Sequence, residues 1–408
     1  MDKIILSSFL SLIYMQTSVI KSKINYKVWN FIKDYFYNER VAESPVIQNL
    51  NNNCNSDQKK AIICYLTVSY FVNWETTYRG RTQPFEIMKI VNTLAGLGYA
   101  IDIVGCQDLN AIEIIRNKKY DLIFGFGETF FQLTNLQPEA VSVFYLTERH
   151  PDFSFREEKK RLDYFFERHG RKLSITRSGL FYKKHHFEKT YANVIVIGET
   201  HLLKDKYSNP YSLFPTGLIN KDYIFKDKDH VKSRKHFLWL GSTGAIHKGL
   251  DLLLDVFYYR DDIVLHICGL AKEERRILRM KKRGNIIDYG HININSSIFL
   301  ELADTCSFII LPSCSEGFST SITTGMLHGL IPVVNKDTGF NVLGDRAIFL
   351  EDFKIEYINL KLNELSNTDP NELALLSKQA LDFAYENFRL EAFEKNFKKI
   401  MDDLLKGI

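Results

Sequence analysis

Thr305-Cys-Ser-Phe-Ile-Ile-Leu-Pro-Ser-Cys-Ser-Glu316-Gly-Phe-Ser-Thr-Ser-Ile-Thr-Thr324-Gly-Met-Leu-His-Gly329-Leu-Ile-Pro332-Val-Val-Asn335 decides the fold. Ser307 to Leu311 is an apolar, partly β-branched run that predicts a buried strand. Pro312 ends it, because proline cannot donate to a ladder. Glu316-Gly317 reads as a tight turn. Ser319 to Ser321 offer cap-type hydroxyls to a helix running to about His328, and Gly329 closes that helix. Pro332 opens the next strand. Strand, Gly/Ser turn, helix and strand in this order predict an α/β unit. Its helix-start amides lie at the carboxyl edge of a parallel sheet, where anionic ligands bind.

The preceding stretch repeats the pattern. His236 to Leu240 reads as a strand. It leads into Gly241-Ser242-Thr-Gly244-Ala-Ile-His247-Lys248-Gly249 and then a helix over Leu252 to Phe257. Glycines let a backbone approach a pyrophosphate closely, and a lysine at the helix start compensates its charge. Ile263 to Cys268 and Asn285 to Tyr289 continue as strands, the second reaching Gly290, and Ile298 to Cys306 is the helix before the central strand. Asp369-Pro370 caps a last helical stretch reaching Leu405.

Upstream, strands at 62–71, 99–104, 120–126, 141–146, 193–197 and 212–214 alternate with helices at 85–96 and 108–116, which predicts a second doubly wound parallel sheet. The loop at 73–84 carries Arg79 and Arg81, suited to an acceptor or a phosphate or simply a solvated charged loop. Glu148 and His150 leave the fourth strand. Phe155 to Arg171 predicts a charged helix with a solvated face and Leu162, Phe165 and Phe166 turned inward. Residues 220–235 form a charged linker. Its Asp227-Lys-Asp229 sits away from any strand end, so it reads as linker charge and no metal site is expected.

These boundaries give an extension over 1–55, a first Rossmann-like domain over 56–219 and a second over 236–384. The last helix, about 385–408, is expected to complete the first domain. In the extension, Tyr26 to Phe36 sets Val28, Trp29, Phe31, Ile32 and Phe36 near helical spacing, suited to packing on the main body or to interfacial membrane contact. The chain has 408 residues, 45% hydrophobic and 25% charged, which suits a protein with two large cores. A net charge of +4 is too slight to argue for nucleic acid. Six scattered cysteines without metal-ligand spacing read as free thiols of a reducing compartment. No run is apolar enough to span a bilayer.

Pro312-Ser313, Glu316-Gly317-Phe318, Met326, Gly329 and Pro332-Val333, with the Gly loop and Lys248-Gly249 upstream, resemble the donor site of GT-B glycosyltransferases, especially family 4. The resemblance implies a nucleotide-sugar donor and a glycan or lipid-linked acceptor. It also implies retention of configuration without a metal or other cofactor, in polysaccharide or glycoconjugate synthesis. It assigns Lys248 to the donor diphosphate, Glu316 to the sugar, and His150 or Glu148 to the acceptor side, with Arg79 and Arg81. It gives Gly241, Ser242, Gly244, Gly249, Gly290, Gly317, Phe318, Ser319, Thr320 and Thr324 to donor binding. Two positions depart: Thr324 stands where the family has a second Glu on the ribose, and Ser242 where an arginine often follows the first Gly. Two alternatives stay open: a nucleotide-sugar 2-epimerase, which shares the fold and also binds a nucleotide sugar, and a catalytically inactive subunit, which the two departures suggest. The expected location is cytoplasmic, with peripheral contact at the inner membrane face.

Overall fold

The structure is a computed structural model and describes residues 46–50, 58–67, 82–200, 203, 206–207, 209–281, 283–336 and 338–406. The 1–45 segment of the extension, with the helical pattern at 26–36, lies outside the described residues, as do Arg79 and Arg81.

Six parallel strands form the first sheet: β1 (Lys60–Tyr65), β2 (Ala100–Gly105), β3 (Leu122–Gly125), β4 (Val141–Leu146), β5 (Asn193–Ile197) and β6 (Tyr211–Leu213), in the order β2-β1-β3-β4-β5-β6. The second sheet has β7 (His236–Leu240), β8 (Val264–Cys268), β9 (Ile286–Gly290), β10 (Phe308–Leu311), β11 (Ile331–Asn335) and β12 (Ile348–Leu350), in the order β12-β11-β10-β7-β8-β9. Strands such as Ile62-Ile-Cys-Tyr65 and Phe308-Ile-Ile-Leu311 are buried on both faces, as continuous apolar runs in parallel sheets must be. Strand order reverses between β1 and β3 in one sheet and between β7 and β10 in the other. Ligand crevices open at such switch points, beyond the strands' carboxyl ends.

The helices are α1 (Gln83–Gly96), α2 (Asn110–Ile115), α3 (Gly127–Leu136), α4 (Pro151–His169), α5 (His230–Ser233), α6 (Leu250–Tyr258), α7 (Lys272–Leu278), α8 (Ser297–Thr305), α9 (Thr320–Met326), α10 (Ile355–Asn367), α11 (Pro370–Asn387) and α12 (Leu390–Leu405). Four of them (α3, α5, α7 and α10) and strand β12 go beyond the elements expected from the sequence, α5 lying in the stretch expected as a charged linker. The tail of the extension joins the first sheet, where Ile47 and Ile103 exchange backbone hydrogen bonds of 2.9 and 2.8 Å. The last helical stretch is two helices, broken at Phe388. That ring is fully buried against Phe214, Phe318 and Phe383, and its carbonyl accepts from Gly217 N at 2.8 Å. The second helix, α12, packs on the first sheet: Phe397 meets Phe124 edge-on at 5.5 Å, and Lys89 of α1 pairs with Glu394 at 2.6 Å.

Helix α4 corrects the expectation of a solvated charged face. Ser154, Glu158, Arg161, Phe165 and Arg168 follow one another at spacings of four and three residues and are all turned inward. Four of them bond the second half. Ser154 Oγ meets Ser315 Oγ at 2.7 Å, Glu158 lies 3.6 Å from His247, Arg161 donates to Pro312 O at 2.9 Å, and Arg168 pairs with Asp251 and Asp255. Phe166, expected inside, is half exposed.

Candidate active site

The β10–α9 turn sits at the switch point of the second sheet. Glu316 is held by Lys248 Nζ at 2.7 Å and by Ser313 Oγ at 3.1 Å, both on Oε1, so among the described residues Oε2 carries no hydrogen bond. Burial alone would push the Glu316 carboxyl up. Lys248, His247 and Arg177 overcome it and hold the group at about 2. Gly317, Phe318 and Ser319 are buried residues, and among the described residues their backbone N–H groups have no protein acceptor. Those of Thr320 and Ser321, in the first turn of α9, have no partner among the described residues either, since first-turn amides lack an intrahelical acceptor. Gly249 brings the lysine loop against this turn. Its φ is +70°, and a Cβ there would lie 2.4 Å from Pro312 O.

The first sheet faces the turn directly. A Cβ on Gly317 would lie 2.7 Å from Thr147 O, so β4 ends against the Glu-Gly turn and delivers Glu148 to it. Burial raises the Glu148 carboxyl, and so does the charge of Glu316, while Arg177, His247 and Lys248 lower it without reversing the shift. His247 is buried beneath Lys248. Burial opposes its charge, but Cys314, Glu158 and Glu316 raise it to about 10, and Nε2 donates to Ser315 O at 2.6 Å. Two carboxylates and three cations thus converge where the two sheets' carboxyl edges meet.

No protein-family model matches the sequence, and no curated protein matches it. Solved structures do. Sucrose-phosphate synthase from Thermosynechococcus elongatus is 13% identical with a TM-score of 0.58, over 86% of this chain and 100% of that one. HepE of Anabaena in complex with UDP and glucose is 13% identical, TM-score 0.55, over 85% and 99%. WaaG, a glycosyltransferase involved in lipopolysaccharide biosynthesis, is 13% identical, TM-score 0.54, over 85% and 99%.

The fold is GT-B. At this identity the likeness extends to the fold alone.

Within the GT-B frame the expected residues separate into two groups. Lys248, Glu316, Gly249, Gly317, Phe318, Ser319, Thr320 and Glu148 gather at the crevice. Gly241 stacks over Trp239, whose Nε1 donates to Lys248 O at 3.3 Å. Gly244 lies in the loop, but its N–H and that of Ala245 donate to Glu274 Oε1 at 2.6 and 2.9 Å. Ser242 is exposed. Gly290 ends β9 beside the Arg275–Asp288 pair. Thr324 is buried, and its hydroxyl donates to Thr320 O at 2.7 Å and accepts from Leu218 N at 3.1 Å. It ties α9 to the segment that follows β6. His150 is the N-cap of α4. Its Nδ1 accepts from Asp152 N at 3.2 Å, its ring meets Phe187 edge-on at 4.5 Å, and Lys206 Nζ lies 2.7 Å from Nε2. Burial first, then Lys206, lower its pKa. None of these contacts involves Lys248, Glu316 or Glu148.

Arg177, Glu158 and His247 escaped the sequence reading as site residues. The spacing of Ser154, Glu158 and Arg161 was the available signal for one of them. A separate cluster, Glu128 with His185 and His186, brings its ligand-type atoms within 4.8 Å of one another. His186 Nδ1 accepts from Lys183 N at 3.2 Å, which leaves the proton on Nε2, and that N–H faces Glu128 at 3.1 Å. The cluster is knit by its own hydrogen bonds. The five described cysteines are buried free thiols, and no helix of the described residues is long and apolar enough to cross a membrane.

Proposed function

We propose that the protein is a glycosyltransferase similar to family 4, transferring a sugar from a nucleotide-sugar donor to a glycan or lipid-linked acceptor. The observation that carries this reading is the run of buried residues Gly317, Phe318 and Ser319, whose amides have no acceptor among the described residues, beside the Lys248–Glu316 pair. Buried N–H groups without an acceptor are rare and costly, and a diphosphate at this turn would satisfy them. Lys248 then balances the charge that develops on the leaving diphosphate, and the free Oε2 of Glu316 accepts from a sugar hydroxyl. Glu148 faces the same turn from the acceptor half. The UDP and glucose held by a solved neighbour of the same fold support the donor class.

The reaction we propose retains configuration and needs no metal. The acceptor hydroxyl attacks the anomeric carbon as the diphosphate leaves, and its proton passes to the departing phosphate oxygen. The protein contributes positioning and charge. Synthesis of a surface polysaccharide or other glycoconjugate, on the cytoplasmic side of a membrane, fits this substrate class.

A thermal-shift panel of UDP-, GDP-, ADP-, CMP- and dTDP-sugars tests the donor site, with Lys248→Ala as control. A ligand that binds only the native state raises the melting temperature. Stabilisation by one nucleotide class, lost in the variant, is the expected result. Release of free nucleotide only in the presence of an acceptor separates transfer from 2-epimerisation. No shift with any donor would overturn the reading in favour of an inactive subunit, the alternative that the tied hydroxyl of Thr324 favours.

A further inference from the structure

The Gly loop of the second half is short of groups that hold phosphate. The amides of Gly244 and Ala245 are engaged by Glu274, and the position where similar proteins often carry arginine is the exposed Ser242. Lys248 is already paired with Glu316. A nucleoside diphosphate carries two to three negative charges near neutral pH, more than one paired lysine offsets.

The missing charge lies across the crevice. Arg177, in the irregular segment after α4, crosses the Gly loop: a Cβ on Gly244 would lie 3.4 Å from its Cδ and 3.8 Å from its Cγ. Its main chain is fixed from below. Glu158 Oε1 accepts from Thr176 N at 2.9 Å and from Arg177 N at 3.1 Å, and Oε2 accepts from Ser178 N at 2.7 Å and Ser178 Oγ at 2.6 Å. Glu158 is only 2% exposed, so this cradle is rigid. The side chain, by contrast, is uncommitted. Among the described residues, no carboxylate lies within 4 Å of the guanidinium and no group hydrogen-bonds it. Its charge still reaches the site: it helps lower the Glu316 carboxyl and offsets part of the upward shift that burial imposes on Glu148.

We propose that Arg177 is a donor-binding residue that grips the diphosphate of a nucleoside-diphosphate sugar from the first half, opposite Lys248, in place of the arginine absent at Ser242. The proposal rests on the donor site described above. It makes the diphosphate a bridge, with one cation from each half. A planar guanidinium suits this task because it donates to two phosphate oxygens at once.

Titration calorimetry with UDP, GDP and ADP, and with the matching monophosphates, tests it. For the diphosphate that binds the wild type, Arg177→Ala should weaken binding about 10- to 100-fold, with a much smaller loss for the monophosphate, because a charge-assisted bidentate contact is removed. Arg177→Lys should fall between the two. Adding Ser242→Arg to Arg177→Ala should restore most of the lost affinity. The melting temperature of Arg177→Ala without ligand should match the wild type. Diphosphate binding that is lost in Lys248→Ala yet intact in Arg177→Ala would overturn this inference and leave the donor site standing. Equal losses for mono- and diphosphate would also overturn it. Failure of all three diphosphates to bind the wild type would overturn the donor reading and this inference together.

Discussion

The two sheet edges that face each other build their contributions differently. On the second, the turn amides, Lys248 and Glu316 come from two short loops, each set by its own glycines, and the charge pair closes within one half. On the first, Glu148 and Arg177 come from separate segments, and Arg177 depends on α4. The buried Glu158 of that helix holds the Arg177 backbone, and its Ser154, Arg161 and Arg168 fasten the helix to the opposite half. Local backbone chemistry makes one edge. A buried polar stripe on a long helix makes the other.

That contrast can be broken at either end. The largest effect is expected from Lys248→Ala: transferase turnover should fall about 100- to 1000-fold, as when a transition-state donor is removed. The same variant leaves Glu316 as an unpaired, mostly buried carboxylate and should lose about 3–5 kcal/mol in urea unfolding. Turnover near the wild-type level would remove the second edge from catalysis.

Glu158→Gln tests the first edge. It deprives Thr176, Arg177 and Ser178 of a charged acceptor, and should cost about 2–3 kcal/mol of stability while also weakening nucleoside-diphosphate binding. A loss of stability with unchanged affinity would show that the helix only holds the halves together.

The pH profile comes next. His247 is raised to about 10, so its contribution is complete below its ordinary value near 6.5 and is lost as pH rises through 10. Glu316 is held at about 2, so its contribution is complete above its ordinary value near 4.3 and is lost as pH falls through 2. Melting temperature should therefore be highest between about pH 4.5 and 6.5 and should decline toward pH 10. His247→Gln should flatten the alkaline limb. An unchanged alkaline slope in that variant would mean His247 is not the group responsible. The smallest effect is expected from His150→Ala: loss of a helix cap worth about 0.5–2 kcal/mol, with turnover unchanged. A collapse of turnover would return His150 to the site.

The residues that were legible in the sequence are those whose role is local. Pro312, the Glu316-Gly317 turn and Gly329 announce a strand end, a turn and a helix stop through their own backbone limits, and alternating apolar runs announce two parallel sheets. Arg177 sits in a segment with no periodicity, so nothing local distinguishes it from the chain's other arginines. Helix α4 misled for a different reason. Its buried face has the spacing of a core stripe, but it is written in Ser, Glu and Arg, which hydropathy assigns to solvent. Thr324 and His150 were placed by their distance from a motif or a strand end, and the structure gives each a hydrogen-bonding task of its own. The break at Phe388 was hidden because aromatic residues continue a helical pattern as well as they end one.

The crossing of α12 onto the first sheet carries a consequence for synthesis on the ribosome. Domains usually fold in the order in which they emerge. Here the helix that covers Phe124 and pairs with Lys89 of α1 is translated after all of the second half. The first half must therefore wait, with that patch of its core uncovered, while its neighbour is made. A nascent chain halted before Leu390 would therefore lack a finished first half.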